Sequence, residues 1–227
     1  VMEAFYTVQG EGLYAGQAAY FIRLGGCDVG CTWCDVKESW DAAAHPRMAV
    51  ADIVAEAAKH PARIAVVTGG EPLMHDLGPL TKALRAAGFR THIETSGSSP
   101  LSGEWHHICF SPKKFKAPVP GFHQHAHELK VIVFNKHDLA WADDHAVLVR
   151  PDVSVIVAKT VDLVVNNTID IPRVVVVPTS DVQTGFRSFE LDVAAMNYPP
   201  VSDELWVQQL RTRHLEVISL GRAGVEE

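Results

Sequence analysis

The chain has no apolar run long enough for a membrane-spanning helix. Its longest, such as VVVVP at 174–178, have the length of a strand. It also lacks the positive excess that nucleic acid demands, since 27 acidic residues against 20 basic ones leave a net charge of −7. No internal repeat, low-complexity segment or targeting segment is present, so the sequence predicts an ordinary soluble protein with a cytoplasmic default. Cysteine is scarce. Three of the four cysteines are too close together to pair evenly and follow no signal peptide, which excludes a disulfide framework. What remains is globular: 47% hydrophobic and 21% charged residues over 227 positions suit one domain, 1–227, whose last third, 150–227, reads differently from the rest.

Short apolar runs alternate with helical stripes. Ala18–Leu24, Ile64–Thr68, Thr91–Glu94, His107–Phe110 and Leu129–Phe134 read as strands. Ala49–His60, Leu77–Ala87 and His137–Ala146 read as helices, the second ended by Gly88. The strand runs are continuously apolar, as in strands buried on both faces, so the pattern predicts an α/β fold with a mostly parallel sheet. A closed eight-unit barrel takes roughly 250 residues, so a partial, open β/α barrel is expected. In the last third, 153–165 and 174–177 read as strands, 178–200 as a loop, and Ser202–Arg213 as a helix capped by Ser202.

The scarce cysteines are concentrated. Cys27, Cys31 and Cys34 stand in GGCDVGCTWCD with spacing C-x3-C-x2-C. Three thiolates in eight residues can wrap one cubane [4Fe–4S] cluster and leave one iron open to chelate an amine and a carboxylate. A zinc site would need a fourth ligand. No second C-x2-C follows, Cys109 reads as a buried strand residue, and one of the 12 histidines remains a candidate. The spacing resembles that of the radical S-adenosylmethionine (SAM) superfamily, in which the free iron holds SAM.

Ligands of a parallel α/β sheet gather at the carboxyl ends of the strands, and the unusual residues lie there. Thr68-Gly69-Gly70-Glu71-Pro72 follows the second strand. Its glycines let backbone approach a ligand, and Glu71 can accept from an ammonium group. On its own it is equally a plain strand-to-helix turn. Glu94 ends the third strand as either a solvated acid or a proton-transfer group. Ser111-Pro112-Lys113 ends the fourth and opens the basic cluster KKFK, which is either a solvated turn or a partner for the SAM carboxylate or ribose. In the N-terminal run FYTVQGEG, Gln9 can read both edges of a heterocycle, Glu11 can accept from a guanidine-like N–H pair, and Gly10 allows packing against a flat ring. Arg23 can pair bidentately with a carboxylate.

Taken together, FYTVQGEG, AAYFIRLGGCDVGCTWCDVKESWD, VVTGGEP, IETSG, SPK and HELKVIVFNKHD resemble the 7-carboxy-7-deazaguanine synthases, in order, over roughly residues 2–145. The resemblance implies a carbon–nitrogen lyase of queuosine-precursor biosynthesis acting on 6-carboxy-5,6,7,8-tetrahydropterin. It also implies a [4Fe–4S] cluster, SAM, Mg2+, a homodimer and an electron donor such as flavodoxin. Residue by residue, it implies that Cys27, Cys31 and Cys34 hold the cluster. Trp33, Cys34, Asp35, Gly69, Gly70, Glu71, Ser111, Pro112 and Lys113 would lie along SAM. Val8, Gln9, Gly10, Glu11, Arg23 and Thr68 would meet the substrate, with Glu94 or Asp35 managing protons.

Two departures stand out. Many members carry Thr or Ser directly after the motif as a Mg2+ ligand, whereas Val36 offers no oxygen. The chain ends in LEVISLGRAGVEE, without the family's Gln-Pro segment or its SLQTHKYL-like tail. Another small radical SAM enzyme, such as a glycyl-radical activating enzyme, and a cluster-binding homologue without turnover remain as competing readings.

Overall fold

A computed structural model describes residues 1–133, 136–159, 174–178 and 216–218. The expected helix at 202–213, residues 179–200 of the expected loop, residues 160–165 of the expected strand at 153–165 and the C-terminal run beyond 218 lie outside the described residues, while Pro178 ends a strand rather than opening the loop. Residue contacts group into two compact units, Val1–Gln9 with Gly16–Glu128, and Gly10–Ala15 with Leu129 onward.

The first unit is an α/β sheet in the order β1 (Glu3–Val8), β2 (Ala18–Leu24), β3 (Ile64–Gly69), β4 (Arg90–Thr95) and β5 (His107–Phe110). The pairings β2–β3, β3–β4 and β4–β5 are parallel, and β1 is antiparallel to β2. The fold is the expected partial, open barrel of mostly parallel strands. Within the described residues, the expected strands and helices form with boundaries shifted by a few residues. The exception is β1, a strand within the N-terminal run that the sequence reading treated only as a ligand-binding segment.

The helices explain themselves locally. Helix α1 (Val50–Ala57) buries Ile53 and Ala57 one turn apart. Helix α2 (Gly78–Ala86) opens with Pro79 in its first turn, where the missing N–H costs nothing, and stops before Gly88, whose φ of +85° few other residues adopt. Tyr20 of β2 stacks on His60 just beyond α1. That face of the sheet is therefore the helix-covered one, and Ile22, Val67 and Ile93 are almost fully buried. Odd-numbered β2 residues point the other way.

The opposite face carries a buried polar layer. His92 of β4 and His107 of β5 are paired in register with ring centroids 5.1 Å apart. His107 Nε2 lies 3.2 Å from Glu128 Oε2, and the Cys109 thiol donates to Glu128 Oε1 at 3.3 Å. Burial, and next the neighbouring His107, push His92 down from 6.5 to about 3, so it is neutral when folded. Below about pH 6.5 the unfolded chain takes up a proton that folded His92 refuses, and stability falls with pH until about pH 3. This one group is expected to cost about 2 kcal/mol between pH 7 and pH 5. Urea unfolding at the two pH values should show a smaller loss for His92→Gln than for the parent. Equal losses would remove His92 as a cause.

The second unit contains α3 (Lys136–Ala146) and an antiparallel set, β7 (Ser154–Lys159), β8 (Val174–Pro178) and β9 (Glu216–Ile218). Strand β6 (Glu128–Val133) begins on the last residue of the first unit. No helix among the described residues is long and apolar enough to cross a membrane.

Candidate active site at the strand ends

Strand β2 ends at Leu24 and runs directly into the cysteine loop. Cys27, Cys31 and Cys34 are free thiols, the second buried and the other two half-buried. The loop is held from two sides. Gly26 N donates to Ser39 O at 2.6 Å and Cys27 N to Trp40 O at 3.2 Å. Facing them, Gly70 N donates to Leu24 O at 2.9 Å and Glu71 N to Gly26 O at 2.8 Å. Among the described residues, no three His, Cys, Asp or Glu side chains converge closely enough to hold a single metal ion. Three thiolates suit a cluster with one open iron, whereas a structural zinc site closes four ligands. Burial pushes both the Cys27 and Cys31 thiols up. The Lys113 ammonium draws Cys31 partly back, and the Glu71 charge adds to the rise at Cys27.

The glycine turn serves the chain itself. A Cβ on Gly70 would stand 2.1 Å from Gly26 O and 2.9 Å from Cys27 Cβ, and one on Gly69 would stand 2.2 Å from Leu24 O. These glycines let two backbones meet, so the sequence argument that they open space for a ligand is incomplete. Glu71 has chain partners of its own. Only 1% exposed, its carboxylate is enclosed by the fold. Its Oε1 accepts from Leu73 N at 3.1 Å and Thr95 Oγ1 at 2.5 Å, and its Oε2 from the amide and hydroxyl of Ser96 at 2.8 and 2.5 Å. Four chain donors fill the carboxylate. Thr95 and Ser96 are thus working residues that the sequence reading passed over, although both stand in its IETSG motif.

One face of the sheet assembles a polar row. Arg23 pairs in register with Thr68, and the β3–β4 register carries Glu94 alongside. Gln9 Nε2 donates to Glu94 Oε1 at 3.0 Å across 85 residues, joining two residues chosen separately from sequence. Arg23 already has a chain partner in Glu3, its cross-strand neighbour, with Nε 2.6 Å from Oε1. Any further carboxylate at Arg23 would have to share or displace that acid. Val8 is 53% exposed at the end of β1. Gly10 and Glu11 belong to the second unit, where Glu11 lies 3.5 Å from Lys130.

The KKFK segment folds onto the cysteine loop. Trp33 meets the Phe115 ring edge-on at 6.2 Å, Lys113 Nζ lies 5.8 Å from the Trp33 centroid, and Lys116 pairs with Asp28 at 2.6 Å. Lys113 Nζ also donates to Ser111 O at 2.8 Å, while Ser111 and Pro112 are buried. Asp35 is exposed.

The profile of the radical SAM superfamily matches residues 21–108, which include the cysteine loop and the glycine turn. A 7-carboxy-7-deazaguanine synthase of Flavobacterium psychrophilum is 56% identical over 149 residues, covering 66% of this chain and 70% of that protein. The chain belongs to the 7-carboxy-7-deazaguanine synthase family. The enzyme of the same name from a Synechocystis strain is 48% identical over 151 residues, 66% of this chain and 73% of its own length. The crystal structure of QueE from Escherichia coli superimposes with a TM-score of 0.57 at 34% identity, covering 63% of this chain and 74% of that one. The superfamily brings a [4Fe–4S] cluster and SAM as cofactors, in keeping with the three free thiols.

Proposed function

We infer that the chain is a radical SAM enzyme of queuosine-precursor biosynthesis, a carbon–nitrogen lyase that makes 7-carboxy-7-deazaguanine. One observation carries the reading. A loop of three free cysteines, braced by a glycine turn at the ends of parallel strands, lies in a chain 56% identical to an enzyme of that name. The proposed substrate is 6-carboxy-5,6,7,8-tetrahydropterin, contracted with loss of ammonia.

Cys27, Cys31 and Cys34 would hold the cluster, leaving one iron for the amine and carboxylate of SAM. When bound, the reduced cluster and SAM together supply the radical that removes the hydrogen beside the substrate carboxylate. The chain contributes position and proton handling. Backbone of Gly69–Gly70, the Ser111–Pro112–Lys113 turn, Trp33 and Asp35 are the proposed walls of the SAM site, with Glu71 behind them as a brace. Arg23 offers charge to the substrate carboxylate. Thr68 and Gln9 stand in or reach the same row, and Val8 at the end of β1 is proposed to flank the ring. Glu94 is the proposed proton acceptor when the pyrrole becomes aromatic, with its Oε1 oriented by Gln9; Asp35 is the second choice. A Mg2+ ion would draw on Asp35, a backbone carbonyl, the substrate or water, because Val36 supplies no ligand. A homodimer, a cytoplasmic setting and a low-potential donor such as flavodoxin complete the proposal.

The anaerobically reconstituted protein, given SAM, a reductant and the pterin, should form 5′-deoxyadenosine and the deazapurine together. In Glu94→Gln, product should fall about 100-fold or more, while 5′-deoxyadenosine falls less. Absence of any deazapurine from a fully loaded parent would sink the reading. Product at the parent rate in Glu94→Gln would remove Glu94 from the mechanism.

A further inference from the structure

Three consecutive carbonyls lead into Cys27, and each is held from the Gly70–His75 segment. Leu24 O accepts from Gly70 N at 2.9 Å, and Gly26 O accepts from Glu71 N at 2.8 Å. Between them, Gly25 O lies 2.8 Å from His75 Nε2. The acceptor is a carbonyl, so Nε2 carries the proton. The His75 ring also covers Gly26, with Nε2 3.5 Å from the point where a Cβ on that residue would stand. Behind the ring, the His75 carbonyl accepts from Ser102 Oγ at 3.1 Å, and Ser102 Oγ in turn accepts from Leu77 N at 3.1 Å. The ring is therefore held from outside the loop it touches.

Gly25 and Gly26 are the two most permissive residues at the base of the cysteine loop, and Gly26 has a φ of +108°. A loop that enters through two glycines has many entry angles, and three thiolates reach one cluster from few of them. Two of the three carbonyl bonds come from backbone and one from a side chain. We propose that His75 is a positioning residue for the cluster. It fixes the Gly25 carbonyl and with it the angle at which the chain enters Cys27. This deepens the functional reading and rests on the cluster assignment. His75 itself ligates nothing; it restricts the loop before the metal arrives, so its loss should appear as a labile cluster rather than an unfolded protein.

The test uses the full chain, reconstituted anaerobically and then challenged with an iron chelator while the brown absorbance is followed. His75→Ala should release iron about five- to tenfold faster than the parent, the worth of one hydrogen bond among those that fix the base of the loop. His75→Gln should stay within about twofold of the parent, because its amide nitrogen reaches the place of Nε2. His75→Asn reaches only the place of Nδ1 and should behave like His75→Ala. Should His75→Ala fail to fold, the Gln and Asn variants still decide the matter by their difference. Release at the parent rate in both the Ala and Asn variants overturns the proposal, as does protection by Asn and not by Gln. A parent that takes up no iron overturns the functional reading and the proposal with it.

Discussion

Gly70→Ala should lower the melting temperature of the metal-free protein by about 10 °C and leave it unable to hold a full cluster. The added methyl would stand 2.1 Å from Gly26 O, 2.6 Å from Gly26 C and 2.9 Å from Cys27 Cβ. The first two are backbone atoms of the cysteine loop and cannot swing aside as a side chain would. Either the β3 turn withdraws, losing the bonds from Gly70 N and Glu71 N to the loop, or the loop moves and takes Cys27 with it. Such overpacking against fixed backbone costs about 3–5 kcal/mol once the bonds are counted, and in a chain of this size each kcal/mol moves the melting point by about 2–4 °C. Gly10→Ala is the control for stability, because a Cβ there meets nothing within 4 Å. Thermal melts of the two metal-free variants and iron analysis after reconstitution provide the comparison. A Gly70→Ala protein that melts with the parent would show that the turn and the loop can separate freely.

The sequence made legible what depends on local pattern. Parallel strands buried on both faces appear as the apolar runs IAVVT and HICF, and β3 and β5 form there. The cysteine loop and the glycine turn were legible because their chemistry requires those residue types at short spacing. Strand β1 was not recognised, because EAFYTV is an exposed antiparallel edge whose partner, β2, fixes it from outside the segment. Pairings across long separations left no local mark at all. Gln9 and Glu94 were each singled out, yet nothing in either segment says that they touch. His75 has no signal in the sequence, because a single histidine after a short turn has no pattern. Its partner, Gly25 O, is a backbone atom 50 residues away.

The Glu71 carboxylate is where local reasoning and tertiary structure differ most, and one substitution decides between them. An acid after two glycines in this superfamily's turn reads as a ligand for the SAM ammonium. The fold instead surrounds it with four donors from Leu73, Thr95 and Ser96, and leaves it 1% exposed. A brace and a ligand predict different losses. If Glu71 is a brace, Glu71→Ala strands two backbone N–H groups and two hydroxyls in the interior. The hydroxyls can turn toward other acceptors, but the amides of Leu73 and Ser96 cannot. At about 1–3 kcal/mol for each buried donor left unmade, the metal-free protein should lose about 3–5 kcal/mol and melt about 10 °C lower. Glu71→Gln should fall between, because one amide oxygen replaces two acceptors and the amide NH2 then faces another donor. Ser96→Ala leaves the Ser96 amide paired with Glu71 but removes the hydroxyl that accepts from Ser98 N at 3.3 Å, so it should cost about 1–3 kcal/mol, less than Glu71→Ala. If Glu71 were a ligand, Glu71→Ala would leave the metal-free melt unchanged and weaken SAM binding to the cluster-loaded protein. Melting the metal-free variants and titrating SAM into the loaded ones separates the two. An unchanged melt in Glu71→Ala together with lost SAM affinity would return Glu71 to the role its sequence position suggests.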